Sequence, residues 1–162
     1  MLLQPTEGES AFTHVEFVRM GQAMRVGRYP LHLHAVSDSG GVGDVSNVTI
    51  HGVSVHHSFN RGINIHGGRG ASVRHSTIYK NLGHAFFVED GSETMNVFVG
   101  NLGSLTLRAM SLLESDQTPS TFWITSAHRT TAREPIGTRG GCEARAEECS
   151  RASCDATSVH DA

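Results

Sequence analysis

The chain has 162 residues, with 13 Lys and Arg against 16 Asp and Glu, giving a formal net charge of −3. That length holds one domain with a sizeable core, and that charge excludes the basic field by which proteins bind nucleic acid non-specifically. No apolar run approaches the roughly 18 residues that span a bilayer, and the three cysteines, Cys142, Cys149 and Cys154, follow no zinc spacing.

Residues 1–13 read as an N-terminal extension without the basic leader and apolar core of a signal peptide. Short apolar alternations follow at 15–18, 31–34, 48–50, 53–55, 63–66 and 97–99, broken by Gly, Asn, Ser and Asp. Each reads as a strand of a few residues, and no stretch sustains a helical period with caps. From Ser126 onward Ile136 and Val159 are the only branched aliphatics, too few to offset the entropy of ordering the segment. The sequence therefore predicts a domain over 14–125 and a disordered tail over 126–162.

The strands repeat. An offset of 23 residues, as from His66 to Glu89, lays Ile63-Asn64-Ile65-His66 on Phe86-Phe87-Val88-Glu89 and pairs Ile50 with Val73 and Val55 with Ile78. A longer step of 32, from His34 to His66, adds Leu31-His32-Leu33-His34 one coil earlier, and Phe122-Trp123-Ile124-Thr125 supplies a further copy. A period in the low twenties with short β segments marks a β-solenoid. A leucine-rich repeat is disfavoured because its leucine framework is absent. The prediction is an all-β chain, a right-handed parallel β-helix of about four coils.

Four strings carry a resemblance: VEFVRMGQAMRVGRYPLHLH (15–34), HHSFNRGINIHG (56–67), YKNLGHAFFVEDG (79–91) and TPSTFWIT (118–125). In that order they resemble the β-helix of the family that includes the cell migration-inducing hyaluronan-binding protein, the cell-surface hyaluronidase and fibrocystin-L. The resemblance implies an extracellular or cell-surface setting and an acidic polysaccharide partner such as hyaluronan. It implies either glycan cleavage or, as in fibrocystin-L, a structural or adhesive segment with no catalytic task.

Alternate side chains of a strand face outward. If the aliphatic positions face in, His34, His66 and Glu89 form one outer column, and His32, Asn64 and Phe87 run beside it. Arg28, Asn60, Arg61 and His84 stand near the preceding turns, and Asp90 follows Glu89. Glu89, His66 and His34 are the expected catalytic groups, because imidazoles and a carboxylate can exchange protons with a glycosidic link. Arg61, Arg28, His32, Asn64, His84 and Asp90 are the expected substrate-binding groups, with an arginine gripping a uronate carboxylate. Stacked His and Asn also serve as ladders that satisfy turn carbonyls, which is the alternative for each. A divalent cation is a further candidate ligand: two His and one carboxylate suit a borderline ion, whereas calcium would favour Glu89, Asp90 and backbone oxygens. His56-His57 reads as a surface turn, His75 has no assigned role, Gly62, Gly67 and Gly83 read as turn glycines with positive φ, and Trp123 as a core-filling residue.

Overall fold

The computed structural model describes residues 1–3, 8–35, 41–110, 113–125 and 131–133, the strands at 2–3 and 131–133 as backbone only. The strands follow coil by coil. The first coil holds β1 (Leu2–Leu3), β2 (Ser10–Thr13) and β3 (Glu16–Val18). The second holds β4 (Leu31–His34), β5 (Gly43–Asp44), β6 (Val48–His51) and β7 (Ser54–His56). The third holds β8 (Ile63–His66), β9 (Gly68–Arg69), β10 (Ser72–Arg74) and β11 (Thr77–Leu82). The fourth holds β12 (Phe86–Val88), β13 (Val97–Val99) and β14 (Leu102–Leu107), and the fifth β15 (Phe122–Ile124) and β16 (Thr131–Arg133).

Every pairing is parallel and joins one coil to the next, which makes the chain a parallel β-helix with three main faces. The first face runs β1-β4-β8-β12-β15, the second β2-β6-β10-β13-β16 and the third β3-β7-β11-β14. The predicted register holds: Leu31 pairs with Ile63, Ile63 with Phe86, and Phe86 with Phe122. Pairing also draws in β1 and β2 from the stretch read as an extension, and β16 from the stretch read as a tail. The rest of that tail lies outside the described residues.

Like residues stack inside. Phe12, Ile50, Val73 and Phe98 share one rung position, as do Phe17, Val55 and Ile78. Leu31, Leu33, Ile63, Ile65, Phe86 and Val88 line the first face from within and are fully buried. Each buried aliphatic of this size contributes about 1.5–3 kcal/mol, and each is reinforced by an identical or similar neighbour one coil away. Asn96 and Asn101 seal the coil corners, each accepting a backbone N–H from the coil below and donating to one of its carbonyls, at 2.9 Å.

The corners also carry residues at positive φ. Arg19, His57, Lys80 and Leu105 occupy one corner position in successive coils with φ between 53° and 57°. Gly67 and Gly83 do have positive φ, at 65° and 84°. Gly62 does not; it is glycine for room, since a Cβ there would lie 2.5 Å from the Ala85 carbonyl oxygen. Among the described residues no helix is long and apolar enough to cross a membrane.

Candidate functional site

The outer side of the first face is not bare. Two excursions cover one edge: the loop 19–30 between β3 and β4, and the stretches 108–110 and 113–121 between β14 and β15, with a 3-10 turn at Glu114–Gln117. Asn60 ties down the first by donating to the carbonyls of Gln22 and Arg25, both at 2.8 Å. As a result the outward column His32, Asn64 and Phe87 is buried like the core.

Arg61 is the clasp that joins these pieces. It is fully buried, with Nε and Nη2 donating to the two Asp116 carboxylate oxygens at 2.9 and 2.7 Å. Nη1 donates to the Tyr29 hydroxyl at 3.1 Å and to Glu89 Oε1 at 3.3 Å, and the guanidinium lies 4.1 Å from the Phe87 ring centroid. Burial is the largest influence and works against its charge, but Asp116, Tyr29 and Glu89 together outweigh it and raise the guanidinium above its ordinary value. Arg61 is thus buried and engaged by Asp116, and not free to grip a substrate carboxylate as the sequence reading expects. His84 corrects the expectation in the same way. It is fully buried and stacked on Phe87 at 4.7 Å, and its Nδ1 accepts the Ser120 backbone N–H at 3.1 Å. Burial pushes it down to about 4. Trp123 continues this outer aromatic column, 4.8 Å from His84, instead of filling the core.

Beside the clasp opens a groove of about 380 Å³, lined by Arg28, Tyr29, His32, His34, His66 and Glu89 among others. Of the nine residues expected at the site, five line this groove, Arg28, His32, His34, His66 and Glu89, with Asp90 at its edge. Asn64 forms the floor, donating to Glu89 Oε2 at 3.0 Å. His66 is held at Nε2, which lies 2.8 Å from Asp90 Oδ2, while its Nδ1 faces Glu89 Oε2 at 3.8 Å. His34 stands edge-on to His66 and His32, at 4.8 and 5.2 Å between ring centroids. His32 Nδ1 lies 3.0 Å from the Gly27 carbonyl, and burial pushes this imidazole down to about 4. Arg28 is exposed at the groove wall.

Three positioning residues escaped the sequence reading. Asp116 lies in an excursion without the repeat period, and Tyr29 precedes Pro30 at a strand entry. Buried Glu93 accepts the backbone N–H groups of Gly67 and Asp90, at 2.9 and 3.0 Å, and so fixes the turns that follow His66 and Glu89. A further carboxylate three residues past the Glu89-Asp90 pair is the signal that the sequence offers.

A family model described as CEMIP beta-helix matches residues 1–137. The chain belongs to the CEMIP β-helix family. Within that family's relatives, Fibrocystin-L of Mus musculus is 37% identical over 134 residues, 80% of this chain and 3% of its own length. The Cell surface hyaluronidase of Danio rerio is 40% identical over 109 residues, 67% of this chain and 8% of its own. The Cell migration-inducing and hyaluronan-binding protein of Mus musculus is 41% identical over 104 residues, 64% of this chain and 8% of its own. The chain therefore spans less than a tenth of the length of these CEMIP β-helix relatives.

Proposed function

We propose that the groove on the first face binds an acidic polysaccharide of the hyaluronan type and cleaves it, as part of a cell-surface or secreted protein. One observation carries the reading: two imidazoles and a carboxylate meet in an open groove beside an exposed arginine. Two relatives have names that speak of hyaluronan, one as a hyaluronidase and one as a hyaluronan-binding protein. Arg28 is the cation for a uronate carboxylate, because Arg61 is engaged with Asp116. Asn64 and Arg61 hold Glu89 in place as a proton acceptor. His66, anchored by Asp90, and His34 at the rim supply the second proton-transfer group. Such a pair serves hydrolysis and elimination alike, and an unsaturated uronate end on the product marks elimination.

The test is the size distribution of high-molecular-weight hyaluronan after incubation with the purified chain. Shortening is expected, and Glu89→Gln is expected to lose it while still folding. A folded chain that neither shortens hyaluronan nor is retained on immobilised hyaluronan would overturn the reading.

A second reading, a non-catalytic structural or adhesive segment, is favoured by a different observation. Arg61, Asn64 and His84 are all buried against protein partners, as in a scaffold. The relative named Fibrocystin-L also matches over 80% of the chain. Under this reading Glu89→Gln changes stability and there is no cleavage to remove.

A further inference from the structure

We propose that His32, His66 and Glu89 form a binding site for one borderline divalent cation of the zinc type. The inference stands without the polysaccharide reading, because it rests on which atoms face one another; with the ion bound, His66 and Glu89 are ligands and not free proton-transfer groups. One ligand atom from each of the three residues lies within 4.8 Å of the other two.

The tautomers follow from the outer partners. His32 Nδ1 faces the Gly27 carbonyl at 3.0 Å and must donate there, so Nε2 carries the lone pair. That Nε2 is buried with no hydrogen-bond partner among the described residues. His66 Nε2 faces the Asp90 carboxylate at 2.8 Å, so a neutral His66 presents the lone pair of Nδ1 to Glu89 Oε2. Two nitrogen lone pairs and a carboxylate oxygen then converge, and the donors to that carboxylate, Asn64 and Arg61, leave His32 Nε2 without a partner among the described residues. A cation placed among the three would satisfy both lone pairs.

The surroundings also match a metal centre. Metal-bound imidazoles commonly donate their second nitrogen to a carbonyl or a carboxylate, which fixes ring and tautomer; Gly27 and Asp90 do this for His32 and His66. Glu89 is steadied by Asn64 at 3.0 Å and Arg61 at 3.3 Å. A zinc ion with bonds of about 2.0–2.2 Å needs donors about 3.4 Å apart, a small contraction for the half-buried His66 and Glu89. Calcium wants six to eight oxygens, and here the Asp90 carboxylate is turned to His66. Three protein donors leave a fourth position, toward the groove, for a water or a substrate oxygen.

The test is calorimetric titration of zinc chloride into the metal-stripped full chain, with Cys142, Cys149 and Cys154 changed to serine so that thiolates cannot compete. One tight equivalent is expected, together with a raised melting temperature. His32→Ala and His66→Ala should each abolish it. Asp90→Asn, at a partly exposed position that leaves the fold intact, should weaken it about 10–100-fold. His75→Ala, on another corner, should leave it unchanged. Because Glu89 serves both readings, its variants are left out, and no polysaccharide is present. Absence of a tight equivalent would overturn the proposal. Binding that survives in Asp90→Asn and His66→Ala alike would overturn it too, by placing the ion elsewhere.

Discussion

Histidines stack on two parts of this helix, and their surroundings differ. In the groove His32, His34 and His66 stand beside Glu89 and Asp90, and each of His32 and His66 has one nitrogen fixed by an oxygen. At the corner between the second and third faces His14, His51 and His75 run edge to face, with ring centroids 5.6 and 5.3 Å apart. His14 and His75 have φ of 54° and 49° and alternate, coil by coil, with Gly52 and Gly100 at 62° and 64°. The glycines make room: a Cβ on Gly52 would lie 2.7 Å from the His14 ring, and one on Gly100 2.6 Å from that of His75. The corner histidines are shaped by backbone and space, those of the groove by hydrogen bonds to oxygen. Residue type and stacking are common to both columns; the oxygen partners are what make one of them a candidate site.

The largest test of that contrast lies under the groove. Arg61→Met should destabilise the chain by about 3–5 kcal/mol, because it strands the buried Asp116 carboxylate without its partner. Denaturant unfolding measures this, and a loss below about 1 kcal/mol would mean the clasp does not organise the groove.

The next effect follows pH. His84 is held neutral by burial, with its value lowered from 6.5 to about 4. Below pH 6.5 the unfolded chain takes up a proton there that the folded chain refuses, so stability falls as pH drops through that window. The slope should be about 1.4 kcal/mol per pH unit for this one group. His84→Gln should flatten the dependence by that amount, and equal slopes in the two proteins would contradict it.

The smallest effects belong to the corner. Gly52→Ala should cost about 1–2 kcal/mol for its left-handed φ alone, with contact against the His14 ring added. His14→Ala should be neutral within about 0.5 kcal/mol. In the double variant the Gly52→Ala cost should shrink, and strict additivity would show that the ring and the glycine do not share space.

The helix was readable because its strands repeat in phase: Ile63 over Leu31 and Phe86 over Ile63 need only a constant offset and a buried face. The groove column was readable for the same reason, since His34, His66 and Glu89 are displaced copies of one position. What covers the column was not. Asp116 reaches Arg61 from 55 residues away, inside an excursion that breaks the period, so no spacing announces it. Arg61 and His84 therefore read as substrate-binding groups near the turns, whereas both are buried. The left-handed corners at Arg19, His57, Lys80 and Leu105 were equally silent, because coil-on-coil pairing imposes the φ on residues that do not signal it. The strands β1, β2 and β16 are too short, or too weakly patterned, to stand out without their partners.

The clasp also sets how this protein would behave under load. A parallel β-helix pulled by its ends sheds its terminal coils in succession, each joined to the rest by only a few backbone hydrogen bonds. The Arg61–Asp116 pair closes a loop of 55 residues that spans the third and fourth coils and shields that length from tension. When the pair yields, about 190 Å of chain is released in one step. A single buried ion pair thus gives the solenoid a mechanical fuse, which would appear as one long rip among short, evenly spaced ones in a force-extension trace.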